Sequence, residues 1–177
     1  MPLAFLPFES YTCHRYHQKD AELLTCMSAE KQGRYNVRQD IYNAIHARVA
    51  TEPFADTMGL KLIKVDKGYS LVEMQLTHEM ENIHGMAHGG AIFSLIDEAF
   101  EVASNSHGTM AVGLNMNITY IATPRIGDCL RAEATEMSKT TRTANYSITV
   151  KDKEDNLIAA CQALVYRKNE RLPFLKE

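Results

Sequence analysis

Several things are missing from this 177-residue sequence, and each absence removes a class of function. No apolar run approaches the roughly 20 residues needed to cross a bilayer. There is no basic surplus: 19 Lys plus Arg stand against 22 Asp plus Glu, a net charge of −3, which argues against a general nucleic-acid binder. The four cysteines, Cys13, Cys26, Cys129 and Cys161, include no CxxC pair. A disulfide framework is therefore not expected, and they read as reduced thiols of a cytoplasmic protein. Met1 to Phe8 lacks the basic and long apolar regions of a secretory signal. No GxSxG, no HExxH, no internal repeat and no low-complexity tract occurs.

What remains is an ordinary globule, 45% hydrophobic and 23% charged, long enough for one domain with an appendage. A core this small makes self-association unsurprising. The charge is uneven. Residues 51–119 carry 3 basic and 9 acidic groups, whereas residues 120–177 carry 10 basic and 8 acidic. Solvated strand faces are the plain explanation.

Residues 1–35 show no clean period, although Asp20 to Lys31 suits a short helix. Ile41, Ala44, Ile45 and Val49 fall at helical spacing, so a helix is expected at about 39–50, closed by Pro53. Two strands are expected at Lys61–Asp66 and Tyr69–Leu76, joined by Lys67-Gly68. A polar loop spans His78 to His88. From Gly89 to about Asn105 a helix presents Ala91, Ile92, Leu95, Ile96, Ala99, Phe100, Val102 and Ala103 on one broad arc. Ser94, Glu98, Glu101 and Asn105 fill the opposite arc, with Asp97 at the margin near Phe93. Four strands follow: Met110–Ile121, Leu130–Met137, Thr143–Val150 and Leu157–Tyr166. In the first, Val112, Leu114, Met116, Ile118 and Tyr120 are expected on one face, and Asn115, Asn117 and Thr119 on the other. Strands and helices are segregated, so the class is α+β with a mainly antiparallel sheet laid against one apolar helix.

The chemistry concentrates in Asn82-Ile83-His84-Gly85-Met86-Ala87-His88-Gly89-Gly90, followed by Asp97. A Gly-Gly pair opening a helix lets another group approach the backbone, and the first N–H groups of that helix suit an anion or a developing oxyanion. A plain loop-to-helix turn would look the same. Asp97 reads either as a solvated carboxylate or as a base or nucleophile beside apolar side chains. His84 and His88 lack the acidic partner and the helical setting of a metal pair, so no metal is expected.

This stretch resembles the acyl-CoA thioesterases of the hotdog fold, in the phenylacetate-degradation (4-hydroxybenzoyl-CoA thioesterase-like) branch. The residues that carry the resemblance are Asn82, His84-Gly85, His88-Gly89-Gly90, Phe93, Leu95, Asp97, Ala99-Phe100 and Asn105, then Pro124, Gly127-Asp128, Arg142-Thr143, Gln162 and Tyr166-Arg167. It covers roughly residues 52–168. It implies an antiparallel sheet wrapped around a long central helix, with an N-terminal extension over 1–50, a thioesterase domain over 51–170 and a tail over 171–177.

It also implies roles. Asp97 would activate water or attack the thioester carbonyl, and the Gly89 N–H, with Gly90, would polarise the carbonyl oxygen. Asn82 would help place the carbonyl or the water. His88 would fix the loop, and Phe93 and Asn115 would line the substrate site. Arg125, Lys139 and Arg142 would meet coenzyme A phosphates. Coenzyme A enters as part of the substrate, so no cofactor is expected. Gly89 and Asp97 lie about 12 Å apart along one helix. Both must come within about 3 Å of one reacting centre, so if both act on one thioester, two subunits supply them. A homodimer or homotetramer is thus implied. A hotdog hydratase or dehydratase and a non-catalytic acyl-CoA-binding module are the competing expectations.

Overall fold

The computed structural model describes residues 37–175. The helix expected at Asp20 to Lys31, Cys13 and Cys26 lie outside that range. Helix α1 (Gln39–Val49) is followed by a short helix α2 (Pro53–Met58). Pro53 therefore opens a second helix as well as closing the first; its missing N–H costs nothing at a first helical turn. Then come β1 (Lys61–Asp66), β2 (Tyr69–Gln75), a 3₁₀ turn (His78–Met80), α3 (Gly89–Asn105), β3 (Thr109–Tyr120), β4 (Cys129–Lys139), β5 (Thr143–Lys151) and β6 (Leu157–Arg171).

The six strands form one sheet in the order β1-β2-β4-β5-β6-β3, every pair antiparallel. The sheet packs on α3. All eight residues of the apolar arc are buried, with Leu95, Ile96, Ala99 and Ala103 fully enclosed. Each large side chain of that arc contributes about 1.5–3 kcal/mol. Ser70 fastens the helix to β2 by donating its hydroxyl to the Ala99 carbonyl at 2.5 Å. A smaller cluster, Ile41, Ile45, Val65, Val102 and Leu172, packs α1 against α3, β1 and the chain after β6.

Two expectations about faces are corrected. Glu98, assigned to the polar arc of α3, is only 4% exposed. The α1–α2 region covers that side of the helix, and a wheel drawn on α3 alone carries no sign of it. In β3 a bulge between Gly113 and Asn115 shifts the register. Gly113, Met116, Ile118 and Tyr120 stand opposite the buried Val165, Ala163, Cys161 and Ala159, while Val112 and Asn115 stand opposite Tyr166 and Leu164. Val112 and Leu114 therefore do not share a face with Met116, because one extra residue inverts the alternation. β3 is an edge strand, bonded to β6 on one side only among the described residues. Its Val112, Leu114 and Tyr120 are exposed.

Candidate active site

α3 begins behind His88, whose extended backbone (φ −70°, ψ 132°) places it at the cap position. Its Nδ1 accepts the Gly90 N–H at 2.8 Å, and its carbonyl accepts from Ala91 at 3.0 Å. The loop holds His88 in turn, through its own N–H donated to the Met80 carbonyl at 2.8 Å. Gly90 is thus engaged by the cap. The Gly89 N–H is left without an acceptor among the described residues, at the positive end of a 17-residue helix.

Each glycine of the pair has its own steric reason. A Cβ on Gly90 would lie 2.9 Å from His88 Nδ1, and one on Gly89 would lie 3.3 Å from the Tyr120 ring. Tyr120 closes on this turn from β3 and donates its hydroxyl to the Gly89 carbonyl at 3.0 Å. Strand alternation assigns Tyr120 only an apolar face and carries no sign of this contact.

Asn82 braces the preceding loop. Its Oδ1 accepts from the backbone of His84 at 2.8 Å and of Met86 at 3.2 Å. Its backbone N–H donates to the Met86 carbonyl, and Gly85 turns the chain at φ +69°, a conformation glycine adopts without strain. The Oδ1 is thereby committed to the loop. Nδ2 makes one long contact of 3.5 Å to the Ala87 carbonyl and keeps donor capacity for a ligand.

Asp97 lies two turns into α3. It borders a cavity of about 600 Å³ between α3 and β3, with Phe93, Phe100, Leu114, Asn115 and Met116 among its walls. Asp97 is exposed at the mouth of this cavity, and partial desolvation by the apolar walls moves its carboxyl above its ordinary value. The structure therefore brings Asp97, Phe93 and Asn115 to one cavity, and His88, Gly89, Gly90 and Asn82 to one turn. Within a single chain the two groups stay about 12 Å apart along the helix axis.

The three basic residues do not converge in one chain. Arg125 sits in the turn before β4, its N–H donated to Asp128 Oδ2 at 2.8 Å. That is the sheet end where Tyr120 meets Gly89. Lys139 and Arg142 occupy the β4–β5 turn at the other end. There Lys139 Nζ lies 3.2 Å from His107 Nδ1, and Arg142 donates to the Tyr166 hydroxyl at 2.8 Å. His84 and His88 gather no third ligand. Among the described residues the one group of three metal-capable side chains is Glu52, Glu98 and Glu101.

Residues 84–159 match the family model described as Thioesterase superfamily. Acyl-coenzyme A thioesterase PaaI of Escherichia coli K12 is 32% identical over 122 residues, 69% of this chain and 87% of that one. The chain belongs to the thioesterase superfamily.

The solved structure of E. coli PaaI superposes on this thioesterase with a TM-score of 0.73 at 29% identity, over 77% of the present chain and 99% of PaaI. The structure of smu.793 from Streptococcus mutans UA159, bound to acetyl CoA, superposes at 0.61 and 26% identity over 64% and 91%. The resemblance carried by His88-Gly89-Gly90 and Asp97 is thus borne out: this is a hotdog thioesterase of the PaaI type. Both motifs fall inside the matched segment, and Asn82 falls just before it. No helix among the described residues of the thioesterase is long and apolar enough to cross a membrane.

Proposed function

We propose that this thioesterase hydrolyses acyl-CoA thioesters to a free acid and coenzyme A in a site shared by two copies of the chain. The observation that carries the reading is the uncommitted Gly89 N–H at the start of α3, with Asp97 two turns away on a cavity wall. Relatives named as acyl-coenzyme A thioesterase and bound to acetyl CoA supply the substrate class.

In the proposed mechanism the Gly89 N–H and the helix dipole stabilise the oxygen of the thioester carbonyl as charge develops on it. His88 does not touch the oxygen; it absorbs the Gly90 N–H and so sets the direction of the turn. Asp97 of the second copy approaches the carbonyl carbon from the other side, either taking a proton from water or attacking directly. Its partial desolvation favours both uses, since a less solvated carboxylate is the more basic one. The thiolate of coenzyme A leaves and is protonated. Asn82 holds the carbonyl or the water through Nδ2 in this proposal, a role supported by the donor capacity that atom keeps.

The second copy is supported by the edge of β3. An unpaired strand with Leu114 57% exposed and Val112 39% exposed is a template for another chain, and its pairing would lay the two α3 helices antiparallel across the cavity that Asp97 borders. Arg125, Lys139 and Arg142 remain the proposed contacts for the phosphates. The two sheet ends they occupy come together only if two copies contribute them.

Thiol release from a panel of acyl-CoA esters tests the reading. Asp97→Asn is expected to lower kcat by about 100-fold or more while the far-ultraviolet circular dichroism and melting temperature stay near those of the wild type. Full activity in a folded Asp97→Asn protein would remove Asp97 from the mechanism. Thermal stabilisation by acyl-CoA without thiol release from the wild type would instead mark a binding module.

A further inference from the structure

Glu98 is the next residue after Asp97, yet it points to the other side of α3. It lines an adjoining cavity of about 410 Å³ whose apolar walls include Ile45, Val49, Met110 and Leu172, and which meets the Asp97 cavity at Glu101, Ala111 and Val112. The residue is buried, only 4% exposed, and its Oε1 has no hydrogen-bond partner among the described residues. Glu52, at the start of α2, and Glu101, one turn along α3, aim at the same place. One carboxylate oxygen from each lies within 4.8 Å of the others. None of the three makes an ion pair among the described residues, although Arg48 lines the same cavity.

Three converging carboxylates with one buried and unpartnered are a costly arrangement for a chain to maintain. Solvation of the surface kind is not available to Glu98. The same arrangement has an affinity for any small cation that fits. Oxygen ligands at 2.0–2.6 Å from one ion stand up to about 5 Å from each other, which accommodates the observed spread. An all-oxygen, all-carboxylate set suits a hard divalent cation and not a thiophilic one.

We infer that Glu52, Glu98 and Glu101 form a binding site for a divalent cation of the Mg²⁺, Ca²⁺ or Mn²⁺ class, distinct from the thioester site and pinning the α1–α2 region to the central helix. The cation gives the buried Glu98 carboxylate a partner and offsets the repulsion between the three groups. Since Glu101 also borders the Asp97 cavity, the ion fixes the helix face on which Asp97 is carried. It takes no part in the hydrolysis.

The probe is Mn²⁺, whose free aqueous ion is read by electron paramagnetic resonance. The full-length protein, stripped with a chelator, is expected to remove one Mn²⁺ per chain from solution and to gain melting temperature as it does so. Glu98→Gln and, separately, Glu101→Gln are expected to weaken that binding by about tenfold or more. Glu133→Gln, on an exposed β4 position, is expected to leave it unchanged. If Glu98→Gln does not fold, the more accessible Glu101→Gln and Glu52→Gln carry the comparison. No Mn²⁺ uptake by the stripped wild type would overturn the site, as would uptake that all three variants retain. Thiol release is measured separately, so failure here leaves the thioesterase reading intact.

Discussion

Asp97 and Glu98 are adjacent carboxylates with different surroundings. A rotation of about 100° per residue sends Asp97 toward the β3 edge and Glu98 under the α1–α2 region. The composition and spacing of α3 make Asp97 legible as a candidate because it follows a His-Gly-Gly turn. They cannot mark Glu98, because what buries it is another segment of chain. His88 lies between these cases. Its position before the glycines is readable; the use of its ring as a cap is not, since this depends on where Nδ1 points. The cap can be tested apart from any chemistry. His88→Ala is expected to lower stability by about 1 kcal/mol, as loss of an N-terminal cap does, and His88→Asn to recover most of it because asparagine caps well. Urea unfolding measures both. Equal losses for the two variants would mean that the ring matters for something other than the Gly90 N–H.

At the scale of elements, the period of the apolar residues locates α3 and the strands to within one or two residues at most ends. The largest departure is the C-terminal end of β6, which runs on to Arg171. Period reports burial, and burial is what holds these elements. It fails at β3, where the bulge beyond Gly113 breaks the alternation, and at α2, whose six residues are too few to show a period. It is silent on how the elements are tied at their ends. Glu136 of β4 makes one such tie. Its Oε2 stands 2.6 Å from His107 Nε2, just past α3, and accepts the Tyr146 hydroxyl of β5 at 3.0 Å. Burial raises its carboxyl, but the bonds from His107 and Tyr146 outweigh this and hold it below its ordinary value. A carboxyl depressed in the folded state adds stability above its unfolded value and loses it as pH falls through the folded one. The stability advantage of the wild type over Glu136→Gln should therefore be full at neutral pH and vanish in acid. Denaturation midpoints across a pH series check this; an advantage that does not change with pH would mean that the ionised form is not what ties these ends.

At the scale of the molecule, the proposed mechanism needs two groups that one chain carries but holds apart. The chain has a helix start that can receive an oxyanion, and a carboxylate that the same helix carries about 12 Å away. That separation follows from residue numbers once the helix is located, so if Gly89 and Asp97 act on one thioester, as proposed, their spacing calls for a second copy. The proposed docking face is not readable in the same way, since the edge position of β3 is a property of the sheet order. The separation also provides the sharpest test. Asp97→Asn removes the carboxylate and Gly89→Pro removes the donor. Proline is well suited to the first helical position, and the extended backbone of His88 is the one a following proline requires; the Tyr120 ring must give by a few tenths of an ångström. Each variant alone is expected to be nearly inactive in thiol release. Unfolded and refolded together in equal amounts, the two should regain about a quarter of wild-type activity, because half of the dimers are mixed and one of the two sites in each is intact. A mixture of folded variants that stays as inactive as its parts would contradict a site shared between two chains.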